Sequence, residues 1–128
     1  MDPISDMLIR IKNAQRAGHD TALIPYSRLK QEIVKVLEKE KFIEKTEKRG
    51  RKIKKFLEIF LHPKNSARGV NNIKIISRPS RRLYSGYREL KIYNSKRGII
   101  LVSTSKGVMS DKDAYKAKLG GQVIAEIW

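Results

Sequence analysis

The sequence predicts an α+β protein in two small parts. Three observations carry that reading. Apolar residues recur at helical spacing twice before residue 41, with one short strand-like piece between them. Two extended runs then flank Arg49-Gly50 as the arms of a hairpin. Beyond the turn-rich segment HPKNSARGVNN, residues 62–72, the apolar residues come in short runs with a single short helix signal among them. The expected division is residues 1–64, an N-terminal α/β subdomain, and residues 65–128, a C-terminal β-rich subdomain.

The elements follow in order. Ile4, Met7, Leu8, Ile11 and Ala14 share one helical stripe, with Asp2 before Pro3 as the start and Gly18 as the stop. Thr21 to Pro25 reads as a strand ended by proline. Ser27 caps a second helix with the stripe Leu29, Ile33, Val36 and Leu37, running to about Lys41. In the hairpin, Phe42 to Lys48 is one arm and Lys52 to Leu61 the other, with Ile53, Leu57, Ile59 and Leu61 on one face. The second half holds strands near 73–77 and 82–85 and the run 99–103. Ser110 and Asp113 stand at capping-box spacing, so a short helix starts there and Gly120-Gly121 stops it. Gln122 to Trp128 alternates as a final strand.

Charge narrows the function. The 128 residues include 29 Lys and Arg against 13 Asp and Glu, a formal net charge of +16. Solubility needs far less, and such an excess points to a polyanionic partner, since each neutralised phosphate releases a condensed counterion. No apolar run approaches the roughly 18 to 20 residues that span a bilayer. The opening MDPISDMLIRIKNAQ has early acids and no unbroken apolar stretch, unlike a secretory signal. Without cysteine there is no disulfide, thiolate zinc site or thiol chemistry.

Three stretches carry candidate chemistry. KRGRKIKK, residues 48–55, holds six basic residues in eight, which suits phosphate contact and equally suits a solvated turn guarding a sheet edge. SRPSRRLYSGY, residues 77–87, interleaves Arg78, Arg81 and Arg82 with Tyr84 and Tyr87. Guanidinium forks match phosphate oxygens and an aromatic ring stacks on an unpaired base. The third is GIILVSTSKGVMSDKDA, residues 98–114, where an apolar run ends in Ser103, Thr104 and Ser105, followed by Lys106 and Gly107. Hydroxyls both donate and accept, which suits the shallow RNA minor groove with its ribose hydroxyls and base edges. Gly107 clears room for a close backbone approach, and Lys106 adds charge.

Catalysis finds little support. His19 and His62 stand in segments without an acidic motif, and a dyad of Ser103 or Ser105 with Lys106 lacks an oxyanion hole. No phosphate-binding loop, dinucleotide fingerprint or carboxylate cluster for magnesium is present, so no enzyme activity, cofactor, metal or small-molecule substrate is expected.

At this point the residues become familiar. GIILVSTSKGVMSDKDA resembles the signature of the eighth family of small-subunit ribosomal proteins, in its bacterial form. DPISDMLIRIKNA resembles that family's first helix, SRPSRRLY its entry to the second half, and LGGQVIAEIW its C-terminal end, all in family order. The resemblance implies two helices packed on a small N-terminal sheet and a mainly β C-terminal half with one short helix. It implies a primary binder of the central domain of small-subunit ribosomal RNA, acting chiefly through the C-terminal half and organising the platform during assembly. Neighbouring ribosomal proteins are implied partners, and the protein's own messenger is a further one, through which it would repress its own translation. The implied location is the small ribosomal subunit in the cytoplasm, with a plastid origin left open. Carried over by position, Ser103, Thr104, Ser105, Lys106 and Gly107 match the RNA-contacting loop. Arg78, Arg81, Arg82 and Tyr84 match the basic-aromatic stretch, and Arg10 and Asn13 lie on the first helix, which approaches RNA in similar proteins. Glu126 is expected to hold the hydroxyl loop.

The sequence departs from the family in YNSKRG, residues 93–98, where only Gly98 of a glycine-rich turn is kept and Lys96 and Arg97 offer added contacts. Ile9 stands where many relatives carry a polar residue. The alternative function is a free-standing RNA-binding regulator outside the ribosome. A peripheral membrane role is disfavoured, because the helical stripes are needed to cover the sheet.

Overall fold

The first apolar stripe folds as helix α1, Pro3–Arg16, in a computed structural model that describes residues 2–64, 66–92 and 98–128. Pro3 occupies the first turn, where its missing N–H has no helical partner to lose. Met7, Leu8, Ile11 and Gln15 are buried. Gly18, at φ 80°, takes the left-handed conformation that closes the helix, with His19 N–H donating to Ala14 O and Gly18 N–H to Gln15 O. The described chain forms two compact units, residues 3–71 and 72–128.

In the first unit, strand β1 (Thr21–Pro25) leads to helix α2 (Arg28–Lys39). Ser27 caps α2, its hydroxyl accepting from Lys30 N–H at 3.1 Å. Leu29 was expected on the buried stripe but is 39% exposed; it lies in the first turn, and the helix is buried only from Ile33, through Val34, Val36 and Leu37. Strands β2 (Lys45–Arg51) and β3 (Lys54–Phe60) complete an antiparallel sheet in the order β1-β3-β2. Helix α1 lies against β1 and α2 against β2. Ala22, Ile24, Leu57 and Ile59 supply the sheet's side of the core.

The hairpin differs from expectation in its turn. Arg51 pairs with Lys54, so the turn is Lys52-Ile53 rather than Arg49-Gly50. Gly50 sits inside β2 opposite Lys55, at φ 99°, and a Cβ there would overlap Lys54 O. Ile53, expected on the core face, is a turn residue and 95% exposed. Phe42 and Ile43 are buried but precede the strand. The connecting segment is tied to α1 through Gln15, whose Oε1 accepts from Val70 N–H at 2.8 Å.

The second unit holds β4 (Ile73–Ile75), β5 (Tyr84–Ser85), a 3-10 turn (Glu89–Ile92), β6 (Ile99–Thr104), β7 (Gly107–Ser110), α3 (Asp111–Lys116) and β8 (Gly121–Ile127). The sheet runs β4-β8-β6-β7, and β5 also pairs with β8. Strands β4 and β5 are shorter than expected; β4 stops where Ile76 and Ser77 both turn their N–H groups to Ile124 O. Ile124 is where the β6–β8 register shifts, so β8 carries one residue more than its partner at that point. Strand β7 is an addition to the expected elements. Its apolar pair Val108-Met109 is too short to signal a strand alone, and pairing with β6 supplies the rest. Ser110 caps α3, accepting from Asp113 N–H at 3.2 Å. The helix ends at Lys116, ahead of the glycines, and Lys118 at φ 56° takes the left-handed position. Leu90, Ile100, Val102, Ala114 and Val123 form the core, with Ile76, Tyr87 and Met109 against it. Among the described residues no helix is long and apolar enough to cross a membrane.

Candidate nucleic-acid interface

Ser103 and Thr104 end β6, Ser105-Lys106 form a two-residue turn, and Gly107 begins β7. Gly107 lies at φ 109°, a conformation that other residues rarely take, so its first task is to close this hairpin. Thr104 serves the same task. Its hydroxyl donates to Gly107 O at 2.7 Å and accepts from Lys106 N–H at 3.1 Å. The three consecutive hydroxyls therefore divide their roles. Thr104 spends its only proton inside the turn, whereas Ser103 and Ser105 carry no side-chain hydrogen bond among the described residues. Ser105 and Lys106 are exposed at the tip.

The sheet brings a second candidate to this end. Tyr84 pairs with Gln122, Gln122 with Ser103, and Ser103 with Val108. Directly paired residues point to one face of a sheet, and strands lie about 4.8 Å apart. Tyr84, Gln122 and Ser103 thus form a row across three strands, with Tyr84 and Ser103 roughly 10 Å apart. Tyr84 is 68% exposed, which leaves its ring open to a partner.

Close approach along this row depends on glycine. A Cβ on Gly121 would stand 1.9 Å from Ser103 O, and one on Gly120 2.4 Å from Ser85 O. The pair expected to stop a helix instead lets β5, β8 and β6 meet at the hydroxyl end of the sheet.

The arginines reach the same unit through Ser77. Arg78 and Arg81 exchange backbone hydrogen bonds of 3.0 and 2.9 Å, closing a turn over Pro79-Ser80. Ser77 is buried at its base. Its Oγ accepts from Leu83 N–H at 2.9 Å and directs its single proton between Leu83 O and Val123 O. Val123 N–H also donates to Leu83 O at 2.9 Å. Arg78, Arg81 and Arg82 are exposed on a loop pinned at both ends to β8, the strand that carries Gln122.

Other expected residues fall elsewhere. Glu126 pairs with Ile100 and Lys74, four positions along β8 from Gln122, so it does not hold the hydroxyl loop. Antiparallel pairing puts the start of β8, not its end, beside Ser103. Arg10 and Asn13 are exposed on α1 in the first unit, where they line an open groove with Ile9, His19 and Leu23. Arg10 is partly held, by Asp6 at 3.5 Å and Leu23 O at 3.4 Å. Lys96 and Arg97 lie outside the described residues. His62 Nε2–H donates to Lys41 O at 2.8 Å, just past α2, a structural contact.

Gln122 and Ser77 are further candidates that the sequence alone does not single out. Ser77 looked like one more polar residue entering a turn. Gln122 was visible as the start of an alternating strand, but its neighbours depend on a register that passes through a bulge. The assembled surface offers an aromatic face, an amide, two unengaged hydroxyls and four exposed cations, Arg78, Arg81, Arg82 and Lys106. This set can stack, donate, accept and neutralise phosphate, which is the repertoire of RNA recognition.

Comparison with known proteins shows the family along almost the whole chain. Residues 2–128 match the family model described as Ribosomal protein S8. The chain is 39% identical over 127 residues to the small ribosomal subunit protein uS8 of Dictyoglomus turgidum, covering 99% of this chain and 97% of the relative. It is 43% identical over 128 residues to the protein of the same name from Bacillus mycoides, again covering 99% and 97%. With that of Treponema pallidum it shares 38% identity over 128 residues, at the same coverage. On the strength of the full-length match and these identities, the chain belongs to the ribosomal protein S8 family.

Proposed function

We propose that the protein is a structural constituent of the small ribosomal subunit that binds ribosomal RNA through the β5–β8–β6 face of its C-terminal unit. The observation that carries this reading is the row Tyr84–Gln122–Ser103, bordered by the exposed Ser105-Lys106 tip and the Ser77-anchored arginine loop. Tyr84 stacks on an unpaired base, and Ser103, Ser105 and Gln122 exchange hydrogen bonds with base edges and ribose hydroxyls. Arg78, Arg81, Arg82 and Lys106 meet phosphates and fix the register. Thr104 and Gly107 hold the hairpin in its RNA-ready shape. Arg10 and Asn13 add a contact from α1.

The RNA target is a helix with a distorted internal loop in the central domain of small-subunit RNA, and binding there helps to organise the platform during assembly. The protein works in the cytoplasm beside neighbouring small-subunit proteins, as a binder rather than an enzyme. An imitation of the same RNA loop in its own messenger would allow it to repress its synthesis. Membership of the S8 family supports the ribosomal setting, and the charge of +16 supports a nucleic-acid partner.

The test is sedimentation of tagged protein from cells through a gradient that separates free protein, small subunits and whole ribosomes. Recovery with small subunits and whole ribosomes is expected. Recovery only in the free fraction or with messenger would favour the regulator outside the ribosome.

A further inference from the structure

The hairpin tip of the first unit carries charge that the proposed interface does not use. Six basic residues lie between 48 and 55. Three are engaged within the unit. Lys48 and Lys55 place their ammonium groups 4.3 and 5.9 Å from the Tyr26 ring centre. Arg49 binds Glu47 at 2.7 Å and also Glu58. Arg51, Lys52 and Lys54 remain, all exposed and without an acidic partner among the described residues.

Their position is informative. Lysine on an edge strand is a common guard against edge-to-edge pairing. Strand β2 is an edge of the sheet, and β1 pairs with β3 only as far as Phe56, so Arg51 and Lys54 both stand on open strand while Lys52 lies in the turn. Edge protection accounts for Arg51 and Lys54 singly, but not for Lys52 in the turn, nor for all three cations gathering at one tip. The tip is also bare, with Ile53 between the lysines 95% exposed. Three cations without an acidic partner, within four residues at the end of a two-stranded arm, suit a chain of closely spaced negative charges.

We infer that Arg51, Lys52 and Lys54 form a second RNA contact, which grips the phosphate backbone without reading sequence. The inference rests on the RNA-binding reading above and extends it to the other unit. The two contacts divide the labour. The C-terminal face selects the site, and the hairpin tip adds affinity common to all RNAs.

The experiment compares the full-length protein with an Arg51→Gln, Lys52→Gln, Lys54→Gln variant on two RNAs over a range of salt concentrations. One RNA carries the central-domain internal loop, and the other is the same helix fully paired. A single Lys52→Gln variant provides a graded control. The slope of log affinity against log salt should fall by about one unit for each cation that meets a phosphate, so by up to about three units in the triple variant, on both RNAs. The ratio of affinities for the two RNAs should not change. An unchanged slope in the triple variant would overturn the contact. A changed ratio would also overturn it, even with a lowered slope, because the tip would then discriminate between the two RNAs. If the unmodified protein showed no preference for the internal loop, the proposed interface would fail, whatever the tip did.

Discussion

Neighbouring residues of one chemical type here do different work. Ser103, Thr104 and Ser105 look equivalent in sequence, yet only Thr104 spends its hydroxyl on its own backbone. Ser103→Ala and Ser105→Ala should weaken binding to the cognate RNA by about 1–3 kcal/mol each and leave binding to a plain duplex unchanged. Thr104→Ala should also loosen the turn, seen as faster hydrogen exchange at the Lys106 amide, which Ser105→Ala should not alter. Gln122→Ala should resemble Ser103→Ala, since the two are direct partners across β6 and β8. Ser77→Ala leaves Leu83 N–H and Val123 O without their shared hydroxyl in a buried place. A stability loss of about 1–3 kcal/mol by denaturant unfolding is expected, with a greater loss of RNA affinity because the arginine loop is freed.

At the scale of elements, strand approach decides the site. Gly121→Ala would set a Cβ 1.9 Å from Ser103 O, so β6 and β8 must part where the hydroxyl loop is held. A cost of at least about 1–3 kcal/mol in unfolding measurements is expected, with selective binding to the internal loop largely lost. The elements themselves were largely legible. The spacing of Met7, Leu8 and Ile11 marked α1, Ser27 and Ser110 marked the starts of α2 and α3, and the alternation after Gln122 marked β8. Long-range pairing was not legible. Nothing local told the turn at Lys52-Ile53 from one at Arg49-Gly50, because Gly50 serves within the strand instead. Nothing local assigned Gln122 rather than Glu126 to the hydroxyl loop, since both alternate on the same strand and only the register separates them. The hydroxyl and arginine stretches were visible as chemistry, and the sheet supplied their common scaffold through β8.

For the whole molecule, a net charge of +16 guarantees affinity for polyanions, so affinity alone says little. The central claim is selectivity from the C-terminal face. It is tested most directly by the binding of purified protein, at about 0.15 M salt, to the central-domain helix with its internal loop intact and to the same helix with that loop replaced by regular pairs. A large preference for the intact loop is expected, reduced by Ser103→Ala by about 1–3 kcal/mol. Equal and steeply salt-dependent binding to both RNAs would contradict it and leave charge as the whole explanation.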